Sequence, residues 1–519
     1  MKKFTLLING QDLDTGNYEY FPYTDKKISD FETTFRVLTR LKTGKLTEDS
    51  EDVNKYVFAK YSVNNEDTNL KAIEAAYKAS GKYRYLPVAK RKKMFKDILL
   101  LLKKHRKEVI DLLIIEGHPQ KLAEWEVEGM SRGGEDETIN FYKQQIWKAV
   151  GREGKEWLYL VRKPDGVVCV VPPRNAPVSN SFVAVSSLFA GNCLIIKPPL
   201  KNPLSTIYVW KEIVYKAALD NGAPEGVINI VVGNSKKIMD GWLASPYVND
   251  VVYFGESDTG IEMGNRIYQS GKKPILELSG NDMLFVWKDA DINGSVESFM
   301  DAFLGSTQIC MVPKGAIVHP AVFDRFLSTV IKEVKKLKVG LPTSPEVCLT
   351  PVGKIKEFYD FLNDALSKGG KLACGGERVN HEGVEDKNGV FIKPAIIQVD
   401  DFEKGTTMLC VNEENFFPLI PILKVDGNSD EEIFEKMLTL ANTNAYGLRT
   451  SVWVKSRLFM RKFVKRINNS GLLRINCRHV GFSLYLATHG GTGKSGGPYG
   501  ELNYLAEKTT HLQGIAIVR

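Results

Sequence analysis

Apolar positions along this chain keep two rhythms. From about Asn69 to Trp147 they recur at intervals of three and four, the period of a helix buried on one face. Residues 157–173, WLYLVRKPDGVVCVVPP, read as strand, turn, strand, with Pro164-Asp165-Gly166 as the break. Short apolar runs then alternate with amphipathic ones. NCLIIKPP (192–199), GVINIVVG (226–233) and NDVVYFG (249–255) predict strands. STIYVWKEIVYKAALDNG (205–222) and SKKIMDGWLAS predict the helices between them. Strands alternating with helices imply βαβ units and a parallel sheet, whose ligands lie at the strands' carboxyl ends.

A second alternating region runs from about Asp282 to Val480. PAVFDRFLSTVIKEVKKLKVG predicts a helix, and AIIQV, PLIPILKV and TSVWVK predict strands. Residues 1–66 read as irregular and partly extended, and the tail from His489 as glycine-rich loop closing on a short apolar strand. The fold class expected is α/β.

Composition narrows the partners. At 519 residues, two or three domains are expected. The net charge of +8 is mild for that length and gives no case for nucleic acid. The densest basic run, Lys90 to Lys93, reads as a solvated helix face. No apolar run is long enough for a membrane span and no leader is legible, so a cytoplasmic protein is expected. Seven scattered cysteines without a CxxC pair argue for a reducing compartment and against a disulfide framework or a metal centre.

Two glycine-rich stretches invite a phosphate reading. In VVYFGESDTGIEMG (251–264) a strand ends at Gly255, and Gly260 stands near the start of a helix. The spacing is not GxGxxG. In THGGTGKSGG (488–497), Thr488 occupies the first glycine of a P-loop and Gly-Gly-Pro follows in place of a helix, so a P-loop is rejected.

Beside the 255–260 turn, seven further segments carry chemistry: VPPRNAPV (171–178), LIIKPPL (194–200), GAPEGVINIVVG (222–233), ILELSGND (275–282), STQICMVPKG (306–315), EENFFP (413–418) and NTNAYGL (442–448). In order and spacing they resemble the aldehyde dehydrogenase superfamily over nearly the whole chain. The resemblance implies a Rossmann-like cofactor domain (1–144 and 164–278), an α/β catalytic domain (279–487) and a β-ribbon oligomerisation element (145–163 and 488–519). A homodimer or homotetramer would pair through the strand Trp157–Arg162.

By the same resemblance Cys310 is the nucleophile, a soft thiolate that attacks an aldehyde and can leave again. Glu277 is the general base and Asn175 the oxyanion donor. Lys197 contacts the adenine ribose of NAD or NADP, and Gly255 and Gly260 form the turn near its pyrophosphate. Glu414 and Phe416 position the nicotinamide ribose and ring, and Leu278 offers its carbonyl to the nicotinamide amide. No metal is implied. The implied reaction is oxidation of an aldehyde to a carboxylic acid through a thiohemiacetal and a thioester.

Several positions depart from the pattern. Leu200 and Lys201 stand where an acid usually grips the adenosine 2′-hydroxyl, which leaves NAD and NADP both open. Glu256 places a carboxylate beside the expected pyrophosphate. Thr307 replaces a common glycine, Gly315 an arginine, and Arg174 an aromatic residue. Phe299 and Phe303 fit either a substrate tunnel or helix core. Two rivals stand: a coenzyme-A-acylating or reductive enzyme of the same superfamily, which commonly lacks the glutamate, and a non-catalytic binding protein on this scaffold.

Overall fold

A computed structural model describes residues 1–131, 135–481 and 485–518. Two parallel sheets dominate it. The first has seven strands in the order Lys273–Glu277, Asp250–Phe254, Val167–Val171, Cys193–Ile196, Ile228–Ile230, Leu6–Ile8, Gln11–Leu13. Its first five strands pair in parallel, and the amino-terminal hairpin closes the edge antiparallel. Such strands are buried on both faces, which explains the unbroken apolar runs: Val167–Val170 and Cys193–Ile196 are all fully buried.

The second sheet also has seven strands: Lys371–Cys374, Ala395–Val399, Leu419–Lys424, Pro313–Val318, Asp282–Val286, Arg449–Trp453 and Leu472–Ile475. All pairs but the first are parallel. One apolar cluster packs on each face. Phe285, Ile397 and Val452 belong to one, and Leu284, Ile396 and Ile422 to the other. Phe299 and Phe303 lie fully buried in the second cluster, edge-to-face with each other, so they are helix core.

A third sheet is an antiparallel ribbon of Thr510–Val518, Glu156–Pro164 and Trp147–Glu153. Here the expectation is corrected. The segment Trp157–Arg162 is the central strand, with both edges already satisfied, so it cannot add a partner's strand. The free edges are Trp147–Glu153 and the closing strand, which is nine residues long and largely exposed.

Other readings also change. Residues 1–66 contain three helices, Thr24–Ser29, Phe31–Lys42 and Glu51–Tyr56, of which the second and third bury a core of their own around Val37, Leu41, Val53 and Tyr56. Frequent Asp, Asn and Thr masked that period; Asp30 instead caps the second helix, accepting from Thr33 N–H. In the basic run Arg91 is buried, with its guanidinium on the carbonyls of Leu86 and Phe189. The 205–222 helix carries a π segment at Val209–Tyr215.

The carboxyl ends of the first sheet meet the helix Ser257–Gln269 at very close range. A Cβ at Gly260 would overlap the side chain of Leu278. Gly260→Ala should therefore lower stability by about 1–3 kcal/mol in denaturant titration. An unchanged midpoint would show that Leu278 gives way freely.

Candidate active site

Cys310 follows a backbone held in an unusual shape. Gly305, Ser306 and Thr307 all have left-handed dihedrals, with φ of 59°, 55° and 65°. Two of these are not glycine, and such residues cost energy that their surroundings must repay. Ser306 Oγ donates to the Thr350 carbonyl and accepts from its N–H. Gln308 Nε2 donates to Thr350 Oγ1 at 2.9 Å and Pro351 O at 2.8 Å. The loop thus enters Cys310 fixed from both sides.

Beyond Cys310, Lys314 is fully buried in the strand Pro313–Val318. Its ammonium donates to the carbonyls of Thr307 (2.8 Å), Ile309 (2.8 Å) and Asn415 (3.0 Å). Burial pulls its pKa down, while Glu414 and Cys310 push it up. It also lies 5.4 Å from the Phe416 ring centre. Sequence reading missed Lys314, because a lysine in a strand reads as a surface residue.

The residues named from sequence come together around this loop. Asn175 Nδ2 donates to Gln308 O at 3.0 Å, which leaves its second N–H for another acceptor. His118 Nε2 lies 3.0 Å from the Asn175 carbonyl and 3.3 Å from Glu126. A Cβ at Gly280 would overlap the Cys310 carbonyl, so only glycine lets the 277–280 segment approach. Gly280 N–H in turn donates to Glu414 Oε1 at 3.0 Å. Glu277 and Met311, the neighbour of Cys310, line one cavity of about 130 Å³.

Burial governs the charges. Burial pushes the Cys310 thiol up to about 12; Glu414 adds to this and Lys314 opposes it. Burial likewise raises Glu277 to about 8, against hydrogen bonds from Asn503 and Gly490 N–H. Asn503 Nδ2 donates to Glu277 Oε1 at 3.0 Å, and Oε2 has no partner. Asn503, from the carboxyl-terminal tail, was also missed.

The remaining positions lie at the strand ends of the first sheet. Lys197 follows Cys193–Ile196 and is buried, with one long bond of 3.4 Å to Pro198 O. Burial alone lowers it to about 8. Gly255 N–H donates to the Glu277 carbonyl at 3.2 Å, and Leu278 N–H to Ser495 O at 3.0 Å. Glu256 ends its strand–helix turn in an ion pair with Lys354 at 2.8 Å. Lys494, of the rejected P-loop, lies 3.6 Å from Glu413 and over the Tyr446 ring.

The sequence profile of the aldehyde dehydrogenase family matches residues 41–515. The chain is 24% identical to a 3,6-anhydro-alpha-L-galactose dehydrogenase of a Vibrio species, with 99% of each chain covered. It is 26% identical to an NADP(+) D-glyceraldehyde dehydrogenase of Thermoplasma acidophilum, covering 91% of this chain and 93% of that one. Among solved structures, an aldehyde dehydrogenase of Brucella melitensis superposes with a TM-score of 0.81 at 22% identity, over 99% of this chain and 97% of the other. A Methanocaldococcus jannaschii glyceraldehyde-3-phosphate dehydrogenase complexed with NADP gives 0.76 at 25% identity, over 89% and 97%. The chain belongs to the aldehyde dehydrogenase family and is an NAD(P)-dependent oxidoreductase of aldehydes.

Proposed function

We propose that Cys310 is the nucleophile of this oxidation, Glu277 its base and Asn175 its oxyanion donor. The observation that carries the reading is the convergence of Asn175 and the 277–280 segment on one buried loop. At neutral pH a thiol with a pKa of about 12 keeps its proton, so a base must take it as the carbon–sulfur bond forms. Glu277, with an unpartnered Oε2, accepts that proton and passes it to solvent. The free Asn175 N–H and the Cys310 backbone N–H stabilise the thiohemiacetal oxyanion. A bound nicotinamide supplies the two-electron acceptor that turns this carbon into a thioester. Glu277 then takes a proton from water, hydroxide adds to the acyl carbon, and the thiolate leaves with release of the acid. Glu277 favours water over a thiol carrier as the acceptor.

The residues fit a dinucleotide. Lys197 is a buried cation with a single weak bond, suited to ribose hydroxyls. Glu414 and Phe416 would hold the nicotinamide ribose and ring, Gly255 and Gly260 the turn below the pyrophosphate, and Leu278 the carboxamide. Lys354 offsets the Glu256 charge there. NADP is favoured over NAD. Lys27, Arg174 and Lys201 are electrostatic neighbours, and Asn202 Nδ2 ties the Arg174 carbonyl to the Lys201 loop at 2.7 Å. No ion pair joins the three to a carboxylate among the described residues. Three unpaired cations beside Leu200 suit a 2′-phosphate.

The cofactor domain would comprise 1–144 and 164–278, the catalytic domain 279–487 and the oligomerisation element 145–163 and 488–519. Trp147, Val150, Leu512 and Val518 leave the ribbon with exposed apolar groups, which supports a homo-oligomer. The seven cysteines, none in a disulfide, support a cytoplasmic setting.

Cys310→Ala should abolish NAD(P)H formation from any aldehyde. Because Glu277 works as its carboxylate, kcat/KM should fall about tenfold per pH unit below about 8 and level off above it. In Glu277→Gln that limb should vanish along with most of the activity; a retained limb assigns the base elsewhere. Lys201→Glu should cut kcat/KM with NADP by at least about tenfold and spare NAD. Equal loss with both cofactors would remove the 2′-phosphate reading. Light scattering should give a multiple of 58.2 kDa; a monomeric mass would contradict the ribbon's role.

A further inference from the structure

Between the strand Val167–Val171 and the helix Pro177–Phe182 the chain runs without regular structure, and Asn175 lies in that stretch. Backbone outside a helix or sheet keeps one course only where other groups hold its carbonyls and N–H groups. Here two successive carbonyls are held by side chains from elsewhere. Asn202 Nδ2 donates to Arg174 O at 2.7 Å, and His118 Nε2 lies 3.0 Å from Asn175 O. These carbonyls belong to the two planar peptide units that flank the Asn175 Cα. Pinning both planes fixes the dihedrals between them, and with those the direction of the Asn175 side chain.

His118 is itself firmly placed. It is 5% exposed and stands in the turn between the helices Arg106–Ile115 and Gln120–Ser131. Its N–H donates to Leu113 O at 3.0 Å, and its Nδ1 lies 3.3 Å from the same oxygen. A nitrogen 3.0 Å from a carbonyl must carry a hydrogen, so Nε2 is a donor to Asn175. Glu126 Oε1, 3.3 Å away, holds that nitrogen from the other side.

Glu126 is fully buried, a costly place for a carboxyl group that nothing else engages. Its Oε2 accepts from Ser179 N–H at 3.1 Å and from Ser179 Oγ at 3.0 Å. Burial raises its pKa, while His118 and Ser179 draw it down. One carboxyl group thus grips the loop at residue 179 and the ring that grips it at residue 175. His118 meets the backbone of Asn175 rather than its amide, so it acts through Asn175. An oxyanion donor repays such support, because a misplacement of about 1 Å can cost about a hundredfold in rate.

We infer that His118, paired with Glu126, is a positioning residue of the oxidation: by holding the Asn175 carbonyl it aims the free Asn175 amide N–H at the thiohemiacetal oxyanion. The inference rests on the role proposed above for Asn175 and adds the pair that makes that role possible. The other amide N–H is spent on Gln308 O, so the side chain has one donor to aim and one direction in which to aim it.

The test is a double-mutant cycle on kcat, run with NADP and the fastest substrate among propanal, hexanal and benzaldehyde. Denaturant titration checks that each variant is folded. Asn175→Ala should lower kcat by about a hundredfold, and His118→Leu by about tenfold or more. In the Asn175→Ala background, His118→Leu should cost no more than about twofold, because there is no donor left to aim. His118→Gln, which keeps a donor at similar reach, should recover most of the loss. If His118→Leu does not fold, His118→Asn, polar but too short to reach the Asn175 carbonyl, takes its place in the cycle. A histidine with a merely structural role would cost the same factor in both backgrounds. That result, or a wild-type kcat in His118→Leu, overturns the inference and leaves Asn175 standing. A wild-type kcat in Asn175→Ala overturns the oxyanion reading itself.

Discussion

One buried charge anchors the site. Removing an ammonium from water is expensive, and three carbonyl oxygens around Lys314 are what make it tolerable. Two of them belong to the loop that carries Cys310 and the third to the segment that carries Glu414 and Phe416. Each can bond Lys314 only if the backbone takes one particular course. The left-handed run at 305–307 is the visible cost of that course. The ammonium thereby positions the proposed nucleophile and the residues proposed to hold the nicotinamide in one stroke.

The same burial sets the resting state of the chemistry. Cys310 and Glu277 are both raised, the thiol to about 12 and the carboxyl to about 8. Removed from bulk water, neither group gains from ionising alone. A substrate changes this by supplying an electrophilic carbon for sulfur and a place for the proton to go. Separate environments tune the two groups: Glu414 and Lys314 bear on the thiol, Asn503 and Gly490 on the carboxyl. That separation lets one site hold a proton at sulfur and use a carboxylate as a base.

Much of this was legible in the sequence where the determinants are local. Strand runs such as VVCVV and CLII declare a doubly covered parallel sheet because both faces are buried. The Asn175, Glu277 and Cys310 segments are each a modest signal; their order and spacing together carry the resemblance that implies their roles. The helices in 24–56 were not legible, because a small separate core needs few apolar positions. Asn503 stands 226 positions from the carboxylate it bonds, and the tail around it shows no period. The ribbon strand 156–164 was found, but its place between two others was not, since alternation along one strand does not give its neighbours.

The central claim is that the acyl group passes through sulfur at position 310. The direct test is intact-protein and peptide mass spectrometry of the enzyme mixed with NADP and an aldehyde it oxidises, quenched in acid at successive times within a single turnover. Acid stops hydrolysis of the intermediate, so an added acyl mass should rise and fall on the peptide that contains Cys310 and on no other. Acid product released with Cys310 unmodified would contradict the account.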